Sequence, residues 1–173
     1  MVVRWHTQLL LLTLLPVGLG AQAQSSTEGP QVARPDTQVR GYWVDPSTGL
    51  MWAGRDSFGR DLNWRQALKY CLGLRLAGHA DWRLPTVDEL EGIYDKRANA
   101  LGRGGKHNET PQHSHVKGDL FLTGDSCSGS QAIGRDGRPA PFAYRFDFVN
   151  GRRTMEPMYF RTGKRALCVR GAS

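Results

Sequence analysis

The sequence predicts a small α+β domain with two helices, short antiparallel strands and long loops. Three observations lead there. Helical spacing is confined to two early stretches, strand-like alternation dominates the second half, and glycine- and proline-rich segments separate the two. At 173 residues the length fits one domain.

Residues 1–23 stand apart from that domain. Arg4 supplies a positive start, Leu9 to Leu15 is an almost unbroken apolar run, and Ala21-Gln22-Ala23 is a small-residue cleavage site. This is the pattern of an export signal peptide, with Gln24 as the first mature residue. The run is too short for a comfortable membrane span. No cysteine follows the cleavage site to carry a lipid anchor. Residues 24–40, rich in Ser, Thr, Pro and Gln, read as a flexible leader. The folded domain is expected over residues 41–171.

Tyr42-Trp43-Val44 and Leu50-Met51-Trp52 make an opening hairpin. Between them Asp45-Pro46-Ser47-Thr48-Gly49 supplies a proline that fixes φ and a glycine that accepts positive φ. Asn63 caps a first helix running from Trp64 to about Leu76. Trp64, Ala67, Leu68, Cys71, Leu72 and Arg75 share one stripe of it, and Gly78 stops it.

The most informative stretch begins at His79. Trp82 and Leu84 point one way and Asp81 and Arg83 the other, as in a half-buried strand. Pro85 has no N–H to donate and ends the ladder. Thr86 then caps a second helix, with Glu89 three residues on completing a capping box. Val87, Leu90 and either Ile93 or Tyr94 form its apolar face, opposite Asp88, Glu89 and Glu91.

Residues 98–117 show no apolar period and read as a long exposed loop. Asp119-Leu120-Phe121-Leu122-Thr123 reads as a short strand, and residues 124–141 as a second polar excursion. Phe142, Tyr144, Phe146 and Phe148 then line one strand face, with Ala143, Arg145 and Asp147 on the other. Asn150-Gly151 marks a hairpin returning along residues 152–155. Leu167-Cys168-Val169 closes the sheet.

The chain holds 23 Lys and Arg against 16 Asp and Glu. Loss of residues 1–23 removes one Arg and no acid, leaving 22 against 16, a net +6 with His neutral. A basic exported protein favours anionic partners such as polysaccharide, phospholipid or nucleic acid. No nucleic-acid recognition motif accompanies the charge. The charge is segregated: residues 81–95 carry five acids and one base, residues 96–118 five bases and one acid, and residues 135–173 nine bases and three acids. Arg97, Arg103, Lys106, Lys117, Arg152, Arg153, Arg161, Lys164 and Arg165 are the candidate ligand-binding bases. The Arg fork suits sulfate, carboxylate or phosphate.

Other chemistry is thinner. His107, His113 and His115, with Glu109 or Asp119, are metal-ligand types gathered in one segment. That segment is glycine-rich and no helical pair fixes its geometry, so no metal or cofactor is assigned. Asn108-Glu109-Thr110 fits a glycosylation sequon by chance. Cys127, beside Asp125, Ser126 and Ser128, is a candidate thiol nucleophile without a signature for its base and orienter. Three cysteines in an oxidising compartment leave one unpaired.

Asp81-Trp82-Arg83-Leu84-Pro85-Thr86, followed by Glu89-Leu90, resembles the hallmark of the Lcl C-terminal domain. This is the domain at the C-terminus of the Legionella collagen-like adhesin, formerly a domain of unknown function. Three blocks match that family in order: Asp45 to Trp52, Trp64 to Cys71, and Ala166 to Gly171. The match covers about residues 41–171. The resemblance implies a C-type-lectin-like or formylglycine-enzyme-like arrangement in which Trp52, Trp64, Asp81, Trp82, Arg83, Pro85, Thr86 and Glu89 are architecture. It also supports a Cys71–Cys168 disulfide, since both cysteines stand in matching blocks, with Cys127 left over. Where this chain has Cys127-Ser128-Gly129, the family pattern has Trp-Ser-Ser. The adhesin's domain is associated with sulfated polysaccharide, which implies a secreted, non-catalytic module for anionic polysaccharide or cell-surface glycan. No Gly-X-Y repeat is present, so the adhesin's trimer does not carry over. The alternative is a periplasmic enzyme or metal-dependent factor using the histidine segment or Cys127.

Overall fold

The computed structural model describes residues 36–104 and 110–171. The signal segment and leader residues 24–35 lie outside them. Among the described residues the chain is α+β, with more regular structure than its sequence predicts.

Helix α1 (Asp36–Arg40) occupies the end of the stretch that composition assigns to the leader. Asp36 and Arg40 pair across one turn. The Gln38 amide donates to the carbonyls of Gly54 and Asp119 at 3.1 and 2.8 Å. So short a polar helix has no apolar period to announce it; tertiary contacts hold it.

The opening hairpin forms as expected, with β1 (Tyr42–Val44) antiparallel to β2 (Met51–Ala53). Its turn is closed by the Asp45 carboxylate, which accepts from Ser47 and Thr48, and by Gly49 at φ +71°. Burial pushes the Asp45 carboxyl up, but these hydrogen bonds outweigh it and hold the group below its usual range.

Helix α2 (Trp64–Gly73) starts from a capping box in which Asn63 and Gln66 each accept from the other's backbone N–H at 3.0 Å. Ala67 and Cys71 face inward. The predicted stripe fails at its end, because the helix stops at Gly73 and Leu72 is 63% exposed. Leu74 turns extended, and Ala77 and Gly78 adopt positive φ in a tight turn.

The stretch from Asp81 alternates and turns as read, but it is an extended segment with a single bridge, Arg83 to Val169, and not a strand. Trp82 and Leu84 are buried, while Arg83 exchanges backbone hydrogen bonds with Val169 at 2.8 and 2.9 Å. Helix α3 (Val87–Gly92) follows Thr86, with Val87, Leu90 and Ile93 inward. Tyr94 packs edge-on against Phe146.

Three expectations are corrected in the second half. Residues 98–117 are not a structureless loop: β3 (Ala100–Gly104) pairs antiparallel with β4 (Thr110–Ser114). The two segments read Ala-Leu-Gly-Arg-Gly and Thr-Pro-Gln-His-Ser, with no apolar alternation for periodicity to detect. Residues 119–123 are not a strand: a 3-10 turn (Lys117–Asp119) leads into an extended segment with one bridge, Arg55 to Phe121. Gly118 sits at φ +73° against the Trp43 ring, where any Cβ would collide.

Residues 124–141 are not an excursion. Strand β5 (Asp125–Ile133) and the start of β6 (Pro139–Asp147) fill them, and β7 (Arg152–Pro157) and β8 (Lys164–Arg165) complete a sheet of order β7-β6-β5-β8. Ser126, Cys127 and Ser128 are buried in succession. A strand covered on both faces by small side chains shows no alternation. The aromatic face of β6 is also imperfect: Ala143, Phe146 and Phe148 are buried while Phe142 is 37% exposed. The β5–β6 register is irregular opposite this part of β6, between Cys127 and Gln131.

The last segment runs through the centre, with residues 164–170 all buried. Strand β9 (Val169–Arg170) adds to β2. Leu167 and Val169 enter a cluster with Trp52, Leu120 and Phe146. Ala166 and Cys168 enter a second, with Ala67, Trp82 and Leu84. There Cys168 bonds Cys71 across 97 residues, as expected, and Cys127 is the free, buried cysteine.

Candidate anion-binding surface

The hallmark residues are tied to one another. Arg83 grips Glu89 bidentately at 2.7 and 2.8 Å, and Glu89 accepts from the Thr86 backbone N–H at 2.7 Å. The Arg83 hydrogen bond holds the Glu89 carboxyl below its usual range. Asp81 accepts from Arg170 at 2.8 Å. Pro85 receives the Gly129 N–H on its carbonyl at 2.7 Å, and the Trp64 indole donates to the Ser128 carbonyl at 3.0 Å. The block therefore joins α3 to β5 and the terminal segment.

The predicted bases divide. Arg152 and Arg161 are exposed and form no ion pair among the described residues. Arg97 projects into solvent while leaning on Asp95 at 3.2 Å. Lys117 donates to the Gly92 carbonyl at 2.8 Å. Arg103 lies on β3 opposite Pro111; Lys106 and His107 lie outside the described residues. Arg153 is engaged by Asp88, at 2.7 Å, and by Glu91, both on α3. The acidic helix therefore neutralises Arg153, where charge segregation predicted separate faces.

Lys164 and Arg165 are corrected outright. Each side chain is only 7% exposed. Lys164 pairs with Glu156 and lies 4.4 Å over the Phe160 ring. Arg165 pairs with Asp61 and donates to Thr123 at 2.9 Å. Charges this deep must be paired within the fold, so neither is a surface donor.

The alternative chemistry finds little to work with. Burial pushes the Cys127 thiol up to about 12, the reverse of what a nucleophile needs. His113 is exposed, and the His115 ring lies 2.7 Å from the Ala98 carbonyl. Among the described residues no three His, Cys, Asp or Glu converge on one point.

One buried acid titrates in an unusual range. Asp56 is 1% exposed, and burial pushes its carboxyl up to about 6, against the Thr123 N–H and hydroxyl and the Arg165 charge. A raised native pKa means the native state holds a proton that the unfolded chain releases. The stabilisation is complete below the unfolded value of about 4 and is lost as pH rises through 6. The unfolding free energy of wild type minus that of Asp56→Asn should thus fall by about 2–3 kcal/mol between pH 4 and 7. Denaturant titrations at five pH values measure it; a difference that stays flat or rises excludes a raised Asp56.

The bases that sequence reading missed lie elsewhere. Arg60, Lys69, Tyr70 and Arg75 line a hollow of about 510 Å³ beside α2. Tyr70 and Arg75, with Arg55, line a second of about 440 Å³ beside the end of β2. The two share Tyr70, Leu74 and Arg75 and so adjoin at those side chains. The Arg60 guanidinium lies 5.8 Å from the centre of the Tyr70 ring. Arg75 donates to the carbonyls of Leu72 and Leu74 at 3.3 and 3.0 Å. Lys69 was legible as an outward helical residue. Nothing in the sequence brings Arg55 and Arg60, on a loop, to Tyr70.

Fold and surface together define a disulfide-tied α+β domain in which, among the described residues, exposed bases in no ion pair outnumber exposed acids in none. The chain belongs to the Lcl C-terminal domain family, whose sequence pattern matches residues 41–170. No curated protein and no solved structure matches it significantly.

Proposed function

We propose that the chain is an exported, non-catalytic binding module for anionic polysaccharide or cell-surface glycan. One observation carries this reading. Among the described residues most carboxylates are occupied within the fold: Asp61, Asp81, Asp88, Glu89, Glu91, Asp125 and Glu156 all pair with bases. Arg55, Arg60, Arg65, Lys69, Arg152 and Arg161 are exposed and form no ion pair among the described residues. The surplus charge offered to a partner is therefore positive. The Cys71–Cys168 bond supports export, since disulfides persist in oxidising compartments. Family membership supports the glycan, because the adhesin's own domain is associated with sulfated polysaccharide.

Single exposed contacts contribute about 0–1 kcal/mol, so affinity needs several together and should fade with salt. The mature chain is expected to bind heparin, to release it as NaCl rises, and to be indifferent to chelator. Asp88→Ser with Glu91→Ser frees Arg153 and removes two acids, so this double should elute at higher salt than wild type. Wild type passing through unretained at low salt would defeat the reading. Elution of the double variant below wild type would show instead that α3 takes part in binding.

A further inference from the structure

We propose that the groove around Tyr70, framed by Arg55, Arg60, Lys69 and Arg75, is where the anionic polysaccharide lies; this rests on the reading above and names its seat. Four bases line the two hollows and no Asp or Glu does. The nearest acids in sequence are engaged elsewhere in the fold. Asp56 is buried on Thr123, which donates to it at 2.5 and 2.9 Å, and Asp61 pairs with Arg165. Among the described residues these cations therefore face solvent without an ion-pair partner.

Two details of the groove favour an anion there. The C-terminal end of α2 would present negative carbonyls to it. Arg75 covers the carbonyls of Leu72 and Leu74 and still has guanidinium N–H groups to donate. Burial pushes the Tyr70 hydroxyl up and the Asp56 charge adds to it, opposed by the charges of Arg55 and Arg60, so at neutral pH it is a protonated donor beside cations.

The shape selects among polyanions. Two adjoining hollows admit a chain segment in place of a single sugar. Guanidinium forks match sulfate and uronate oxygens. Arg60 stands over the Tyr70 ring, so the groove offers no open aromatic platform on which successive nucleobases would stack.

The test uses the mature full chain and a size-defined heparin fragment followed by titration calorimetry. Arg60→Ser with Lys69→Ser is expected to weaken binding about tenfold, while Arg135→Ser with Arg138→Ser, an equal charge change at the β5–β6 turn, stays within about twofold. Lys69→Glu, on an exposed helix position, repeats the loss in a variant whose melting temperature reports an intact fold. Heparin fragment should also shield Lys69, and not Lys96, from amine acetylation. Equal losses in the two doubles, or an unshielded Lys69, overturn the groove and leave the glycan reading standing. Absence of wild-type binding removes both. Tighter binding of a single-stranded oligonucleotide than of heparin at equal ionic strength overturns the choice of polysaccharide.

Discussion

Trp82→Ala is expected to cost about 3–5 kcal/mol of unfolding free energy, the usual range for deleting a buried aromatic. Trp82 is 1% exposed in the cluster that holds Ala67, Leu84 and the disulfide. It lies beside Arg83, whose backbone bonds Val169, so a cavity there loosens the joint between the central stretch and the terminal segment. Trp82→Phe separates packing from hydrogen bonding. The indole Nε1 is buried without a partner, so its removal forfeits no hydrogen bond, and Phe should cost clearly less than Ala. Urea titration of the oxidised proteins measures both. An alanine variant within about 1 kcal/mol of wild type would show that the site collapses around the loss.

Loss of the disulfide should be of similar size. Cys71 and Cys168 close a loop of 97 residues, which chain entropy rates at roughly 4–5 kcal/mol, with measured effects commonly 2–5. Cys71→Ala with Cys168→Ala is expected to lower the melting temperature by roughly 10 °C or more. The variant's melting should then be indifferent to dithiothreitol, whereas wild type should fall towards it on reduction. Cys127→Ala is the control, since that thiol is free and its hydrogen bond to the Leu62 carbonyl, at 4.0 Å, is weak. Should Cys127→Ala destabilise more than the double, the bond would not be the dominant staple.

Arg153 and Lys164 show why charge layout misled. Residues 135–173 carry a large excess of bases, and each looks available when read in sequence. Arg153 meets Asp88 and Glu91 from more than 60 residues away, and Lys164 meets Glu156 beneath an aromatic ring. A base pairs with whatever acid the fold delivers, and distance along the chain does not report that. Arg55, Arg60, Lys69 and Arg75 are the converse: unremarkable in sequence, they line two adjoining hollows once α2 lies near the end of β2.

By itself the sequence determined what short-range chemistry decides. Asn63 and Thr86 as caps, Gly49 in its turn, the alternation of Trp82 and Leu84, and the hairpin at Asn150-Gly151 depend on neighbours a few residues apart, and each forms as read. The ordered blocks from Asp45 to Gly171 likewise identified the family. Only tertiary structure decided the rest. Strand β5 is built of small polar residues whose burial comes from the elements covering it, and β3 and β4 are joined by backbone bonds that no side-chain period encodes. The grouping of cations at Tyr70, and the burial of Lys164 and Arg165, arise from residues brought together only by the packed fold.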